Sequence, residues 1–79
     1  MAKKVTIYST PTCHYCNLAK DFFAENNIKY EAFDVQSDLA KRKEMVAKSG
    51  QMGVPVIFVD KELIMGFDED RLRELLDVK

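Results

Sequence analysis

The chain reads as an α/β fold of order β-α-β-α-β-β-α, one mixed four-stranded sheet flanked by three helices lying on both of its faces. Three observations predict this. Lys4-Val-Thr-Ile-Tyr-Ser9 and Val56-Ile-Phe-Val59 are short β-branched and aromatic runs of the kind that form buried strands. Three further segments, two between strands and one after the last, carry apolar residues at helical spacing. The second apolar run is followed at once by a turn and another short strand, which must pair with it antiparallel.

Each element follows from local chemistry. After the first strand, Thr10-Pro-Thr12 is a turn, and Thr12 is placed to N-cap a helix running from Cys13 to about Asn26. Cys16, Ala19, Phe22 and Phe23 share one face of it, and Asn26-Asn27 ends it. Lys29-Tyr-Glu-Ala-Phe-Asp34 alternates, with Tyr30 and Ala32 opposed to Glu31, and reads as a second strand. Ser37 and Asp38 are N-cap candidates for a helix to about Lys48, with Leu39, Met45 and Val46 inward and a stop at Ser49-Gly50. Pro55 introduces the central strand Val56–Val59. Asp60-Lys61 turns the chain into Glu62-Leu-Ile-Met65, which Gly66 closes. Asp68 then caps a last helix with Leu72, Leu75 and Leu76 as its apolar stripe. The β-α-β unit at the front gives parallel strands with a right-handed crossover.

Length and charge narrow the function classes. Seventy-nine residues allow a single domain, 1-79, with no room for a cleft walled on all sides. Twelve Lys and Arg against thirteen Asp and Glu give a net charge of −1, which argues against a nucleic-acid binder or a polybasic membrane surface. Met1-Ala-Lys-Lys leads straight into the first strand without the apolar stretch of a signal peptide, and no run is long enough to span a membrane. The expectation is a soluble cytoplasmic protein, monomeric, with no nucleic-acid or membrane partner.

The two cysteines, Cys13 and Cys16, are too close together to staple a fold, since so short a loop constrains little of the unfolded chain. Zinc needs about four ligands, and the chain offers two cysteines and one histidine trapped between them. No resident metal is expected. The pair stands after a strand and at the start of a helix, and that position carries the chemistry. The first turn of a helix has unpaired N–H groups and a positive partial charge, which favour a thiolate on Cys13. Cys16, one turn deeper, faces the core. Cys13 is therefore the nucleophile that attacks a disulfide, and Cys16 the thiol that resolves the mixed disulfide. His14, as an imidazolium, would help hold the thiolate; the alternative is an exposed helix-start residue with no titration role. Tyr15 offers a flat apolar face to a partner, or is a plain surface aromatic.

With these residues in place, the chain resembles a glutaredoxin, within the thioredoxin-like fold. The resemblance runs from about Val5 to Leu76. It rests on Val5-Thr-Ile-Tyr8, Cys13-His-Tyr-Cys16, Lys41-Arg-Lys-Glu-Met45, Gly53-Val-Pro-Val56 and Gly66-Phe-Asp68. It implies a cis bond before Pro55 and a Val54 backbone that pairs with an extended peptide beside the cysteines. It implies glutathione as co-substrate, with no tightly bound cofactor, and protein disulfides or glutathionylated proteins as substrates. Tyr15, Val54, Pro55, Asp68 and Asp70 are then the glutathione-binding residues. Asp70 takes the position that meets the ammonium, and Arg42 is the candidate for the glycine carboxylate. Acidic residues at a helix start also serve as caps, which offers a structural role for at least one of Asp68, Glu69 and Asp70.

The chain departs from the family's pattern at several points. His14 stands where proline is common, Thr10 where lysine often stands and Gly53 where threonine precedes Val-Pro. Gly66-Phe67 replaces a Gly-Gly pair and resembles the glutaredoxin-like hydrogen donors of ribonucleotide reductase, which are reduced by thioredoxin reductase. Thr10 and His14 are thus modulating positions and Gly66 a structural one. Two other functions stay open at this point: an electron donor served by thioredoxin reductase, and a module binding an iron–sulfur cluster between two chains. Some related bacterial proteins resemble this one with selenocysteine at the position of Cys13.

Overall fold

The computed structural model describes residues 4–51 and 53–78. Its elements are β1 (Val5–Ser9), α1 (His14–Glu25), β2 (Glu31–Asp34), α2 (Leu39–Ser49), β3 (Val56–Val59), β4 (Glu62–Met65) and α3 (Glu69–Leu76). They form one four-stranded sheet in the order β2-β1-β3-β4. β1 pairs with β2 in parallel, and β3 pairs antiparallel with both β1 and β4. The two apolar runs are therefore the two central strands, buried by helices above and below, as an α/β sheet requires.

Alternation along β1 and β3 divides the core between the faces. Val5, Ile7, Ile57 and Val59 point to one side, where Ala19, Phe22 and Phe23 of α1 and Leu72 of α3 cover them. Tyr8 and Val56 point to the other, where Met45 of α2 and Val35 meet them. Local breakers fall where the sequence puts them. Gly50 caps α2 in the left-handed conformation, and Asn27 and Asp60 take positive φ at the end of α1 and in the β3–β4 hairpin. Among the described residues, no helix is long and apolar enough to cross a membrane.

Three local expectations need correcting. Thr12 is exposed and does not cap α1; Cys13 does, in an extended conformation, so the helix begins at His14. β2 starts at Glu31 rather than Lys29, and as an edge strand it leaves Ala32 exposed while Tyr30 packs on Phe23. Leu39 is not inward: it is 65% exposed. The sheet-facing side of α2 instead presents Lys41, Glu44, Met45 and Lys48. Lys41 lies over the Phe33 ring at 4.1 Å, and the Tyr8 hydroxyl donates to Glu44. Long charged side chains with apolar stems cover aromatic rings here in place of leucine.

Candidate active site at the start of helix α1

β1 delivers the chain to one end of the sheet, and Thr10–Thr12 turns it into α1. The Cys13 N–H donates to the Thr10 carbonyl at 3.3 Å, which closes that turn. Cys13 then occupies the N-cap position with φ −81° and ψ 115°. Its Sγ accepts the Cys16 N–H at 3.2 Å, and its carbonyl accepts the Asn17 N–H at 3.2 Å. The sulfur thus takes the role that a serine or aspartate oxygen has in other helix caps. An acceptor at that point is favoured further when it is negative, because the N–H groups of the first turn and the helix dipole face it.

Cys13 and Cys16 are both free thiols, Cys13 half-buried and Cys16 fully buried. Burial pushes the Cys16 thiol up to about 12, and a hydrogen bond shared with Cys13 adds to the rise. The Thr10 backbone and the Lys20 charge act weakly the other way. The two sulfurs are therefore unequal, one accessible and one held as a protonated thiol.

The remaining candidates come from α1 itself, the loop before β3, the approach to α3, and α2. His14 and Tyr15 are both exposed and stack edge to face, with ring centroids 5.5 Å apart. The Val54–Pro55 bond is cis, Pro55 is buried and Val54 is half-buried against the Tyr8 cluster. The Pro55 carbonyl accepts the Gly66 N–H at 2.9 Å, which ties the loop before β3 to the end of β4. Gly66 has φ 79°, and a Cβ there would meet nothing within 4 Å, so backbone conformation alone selects glycine. Asp68 caps α3, its carboxylate accepting the Arg71 N–H at 3.1 Å. Glu69 pairs with Arg73 at 2.9 Å. Asp70 is exposed and, among the described residues, has no ion-pair partner. Arg42 sits on the outward face of α2, in a groove shared with Leu39, Lys43, Val46 and Ala47; neither cysteine, Tyr15 nor Pro55 lines that groove. Among the described residues, no three His, Cys, Asp or Glu side chains are grouped to hold a metal.

Two features were not foreseen. One is the cap made by Cys13 itself, since Thr12 is the stronger capping residue by type. The other is Phe67, which turns inward and packs on Phe22 at 6.1 Å, so the step before α3 is anchored to the helix that carries the cysteines.

A free cysteine pair at the junction of a central strand and a helix, with a cis-proline opening the neighbouring strand β3 at the same end of the sheet, defines a redox protein of thioredoxin-like architecture. The family model for glutaredoxin matches residues 5–64. The chain belongs to the glutaredoxin family. It is 38% identical over 73 residues to an uncharacterised glutaredoxin-like 8.6 kDa protein in the rubredoxin operon of Clostridium pasteurianum, covering 92% of this chain and 97% of that one. It is 37% identical over 65 residues to glutaredoxin 3 of Escherichia coli K12, covering 82% and 78% of the two chains. The crystal structure of the thioredoxin-like protein BC3987 superposes with a TM-score of 0.86 at 33% identity, covering 91% of this chain and 99% of that one. Members of this family are generally thiol–disulfide oxidoreductases, and this chain carries the cysteine pair such a reaction uses.

Proposed function

We propose that this chain is a glutathione-dependent dithiol–disulfide oxidoreductase that reduces protein disulfides and glutathione mixed disulfides. The observation that carries the reading is the Cys13 sulfur, accepting the Cys16 N–H as the cap of α1 with the Cys16 thiol buried beneath it.

In the first step, the Cys13 thiolate attacks one sulfur of the substrate disulfide. A new S–S bond forms to Cys13, the substrate S–S bond breaks, and the departing thiolate takes a proton from water. That step also removes part of what holds the Cys16 proton, though not burial, the largest cause. Two of the influences raising its pKa, the hydrogen bond shared with Cys13 and the Cys13 charge, vanish once Cys13 is bonded to another sulfur. Cys16 then attacks the Cys13 sulfur, and its proton passes through water to the departing substrate thiolate. The second substrate thiol leaves, and a Cys13–Cys16 disulfide remains. Two glutathione thiols restore the dithiol and become glutathione disulfide, so electrons and protons balance.

Glutathione would lie across Tyr15 and along the Val54 backbone at Pro55. Its ammonium would meet Asp70, which is the freer of the two carboxylates because Asp68 is committed to its cap. Arg42 would supply charge for the glycine carboxylate from α2. His14, exposed beside the nucleophile, and Thr10, whose carbonyl holds the Cys13 turn, would modulate the pair.

Phe67 favours a second reading, an electron donor served by thioredoxin reductase. It stands where the family's common pattern has a second glycine, and it packs on α1. Turnover of a small disulfide substrate with glutathione and glutathione reductase, against NADPH and thioredoxin reductase, decides between the two. Faster turnover with glutathione supports the first, and turnover with thioredoxin reductase alone replaces it with the second.

A further inference from the structure

The surface holds a second feature that the redox chemistry does not use. At the end of the sheet remote from the cysteines, on the face that carries α2, a cavity of about 360 Å³ opens between Lys4, Thr6, Tyr8, Lys48, Phe58, Asp60 and Lys61. It lies at the start of β1, whereas Cys13 follows the strand's other end. Five strand steps of roughly 3.3 Å put its Lys4 rim about 17 Å from Ser9 along the strand, while Tyr8 marks the end of the lining nearer the cysteines.

The fold builds this cavity from three separate elements. Thr6 and Phe58 are register partners on β1 and β3 and form the floor. Phe58 is half-buried, and its ring meets that of Tyr8 edge to face at 6.1 Å. Lys48, in the last turn of α2, stands over the Phe58 ring at 5.9 Å. Lys4 and Lys61 rim the opposite side. Asp60 is the one acid in the lining. Its backbone N–H donates to the Lys4 carbonyl at 2.8 Å, and its Oδ1 accepts the Lys4 N–H at 2.9 Å, so the carboxylate is held down against β1.

The cavity joins clustered positive charge to an aromatic floor, whereas the Arg42–Lys43 groove on α2 has cations but no ring. Three ammonium groups and one carboxylate line it, in a chain whose net charge is −1. Among the described residues, none of the three lysines has an ion-pair partner. Lys48 is near enough to Glu44 to act on its carboxyl, but Glu44 is engaged by Tyr8 and Lys41 instead. Gathering like charges costs free energy unless a counter-charge joins them. The floor is an aromatic ring with a hydroxyl beside it, which suits a planar group better than a bare ion does. The volume falls in the range of small-ligand sites, about 300–1,000 Å³.

We propose that this cavity binds a nucleoside monophosphate, with its base against Phe58 and Thr6 and its phosphate among Lys4, Lys48 and Lys61. Recognition needs both parts. The phosphate supplies the missing negative charge, and the ring supplies contact with an apolar floor that inorganic phosphate cannot make.

The test is a two-dimensional amide NMR titration of the reduced, isotope-labelled full chain with AMP, adenosine and inorganic phosphate in parallel. Saturable shifts centred on Thr6, Phe58 and Lys61 are expected with AMP, at an affinity at least about tenfold above that of either fragment, given two independent contacts. The double substitution Lys48→Gln/Lys61→Gln should weaken AMP by about tenfold or more, the size expected for losing charge-assisted contacts. Its disulfide-reductase turnover should be unchanged, because neither lysine is near the cysteines. Non-saturating shifts, equal affinity for AMP and phosphate, or an undiminished AMP affinity in the double variant would each overturn the proposal. None of these outcomes bears on the role of Cys13.

Discussion

The Tyr8 hydroxyl donates a 2.5 Å hydrogen bond to Glu44, joining central strand β1 to helix α2 through a polar contact at the edge of the core. The bond holds the Glu44 carboxyl below its ordinary range, helped by the Lys41 and Lys48 charges. Burial, and then the same bond, holds the Tyr8 proton more tightly than usual. The depressed carboxyl contributes stability that is present above the ordinary carboxylate value, near ~4, and lost as pH falls through the folded value. The raised phenol contributes below the ordinary tyrosine value, near ~10, and loses that contribution as pH climbs through the folded value. Tyr8→Phe should therefore lower the urea midpoint at pH 6, and the gap from the parent should narrow toward pH 3. A gap independent of pH would mean the bond contributes nothing.

Cys16 should remain a neutral thiol at every ordinary pH, because burial is the main cause of its shift and does not depend on Cys13. Iodoacetamide applied to the reduced protein at pH 8 should modify Cys13 and spare Cys16 in peptide mass spectra. In a Cys13→Ser variant Cys16 should still react slowly. Equal labelling of both would contradict the asymmetry on which the order of attack depends.

The two faces of α2 should respond differently to truncation. Met45 is fully buried, and Met45→Ala should cost about 2–5 kcal/mol in chemical denaturation. Leu39 is outside the core, and Leu39→Ala should change stability by less than ~0.5 kcal/mol. A large loss at Leu39 would restore the inward register that the sequence suggests.

The approach to α3 offers a test of cap against charge. Asp68→Ala should cost roughly 1 kcal/mol, while Asp68→Asn keeps an acceptor and should cost only a few tenths. Gly66→Ala should cost about 1 kcal/mol or slightly more from its positive φ alone, since the new Cβ has open space. If Asp68→Asn costs as much as Asp68→Ala, charge rather than capping holds the helix start. Thermal or urea unfolding of the three variants reads the differences.

Most of the architecture was legible because strand and helix periodicities differ and the breakers are local. Val56–Val59 has no polar position and can only be central. The stripe of Cys16, Ala19, Phe22 and Phe23 fits one helix face, and all four are buried. Gly50 and Gly66 sit at positive φ, as turn chemistry suggests. What was not legible depends on neighbours remote in sequence. The inward side of α2 is chosen by Phe33, Tyr8 and Phe58, whose rings accept lysine stems and a glutamate, so counting apolar residues places Leu39 on the wrong side. Ala32 is exposed because β2 is an edge, which no single strand announces. Capping rank favours Thr12, yet the turn closed on the Thr10 carbonyl puts the Cys13 sulfur over the Cys16 N–H. The position of the cysteine pair, between a central strand and a helix, was readable from the strand before it and the helix after it. Asp70 was readable only as a position, because its availability depends on what Asp68 and Glu69 engage, and Arg42 likewise, because the groove it lines is set by the fold of α2.

The division of labour between the two sulfurs is tested most directly by intact-mass measurement of Cys13→Ser and Cys16→Ser after incubation with glutathione disulfide. The expected result is one glutathione adduct on Cys16→Ser, formed quickly and located at Cys13, with no adduct on Cys13→Ser over the same interval. A comparable adduct on Cys13→Ser would show that the buried thiol attacks unaided, and Cys13 would lose its role as nucleophile.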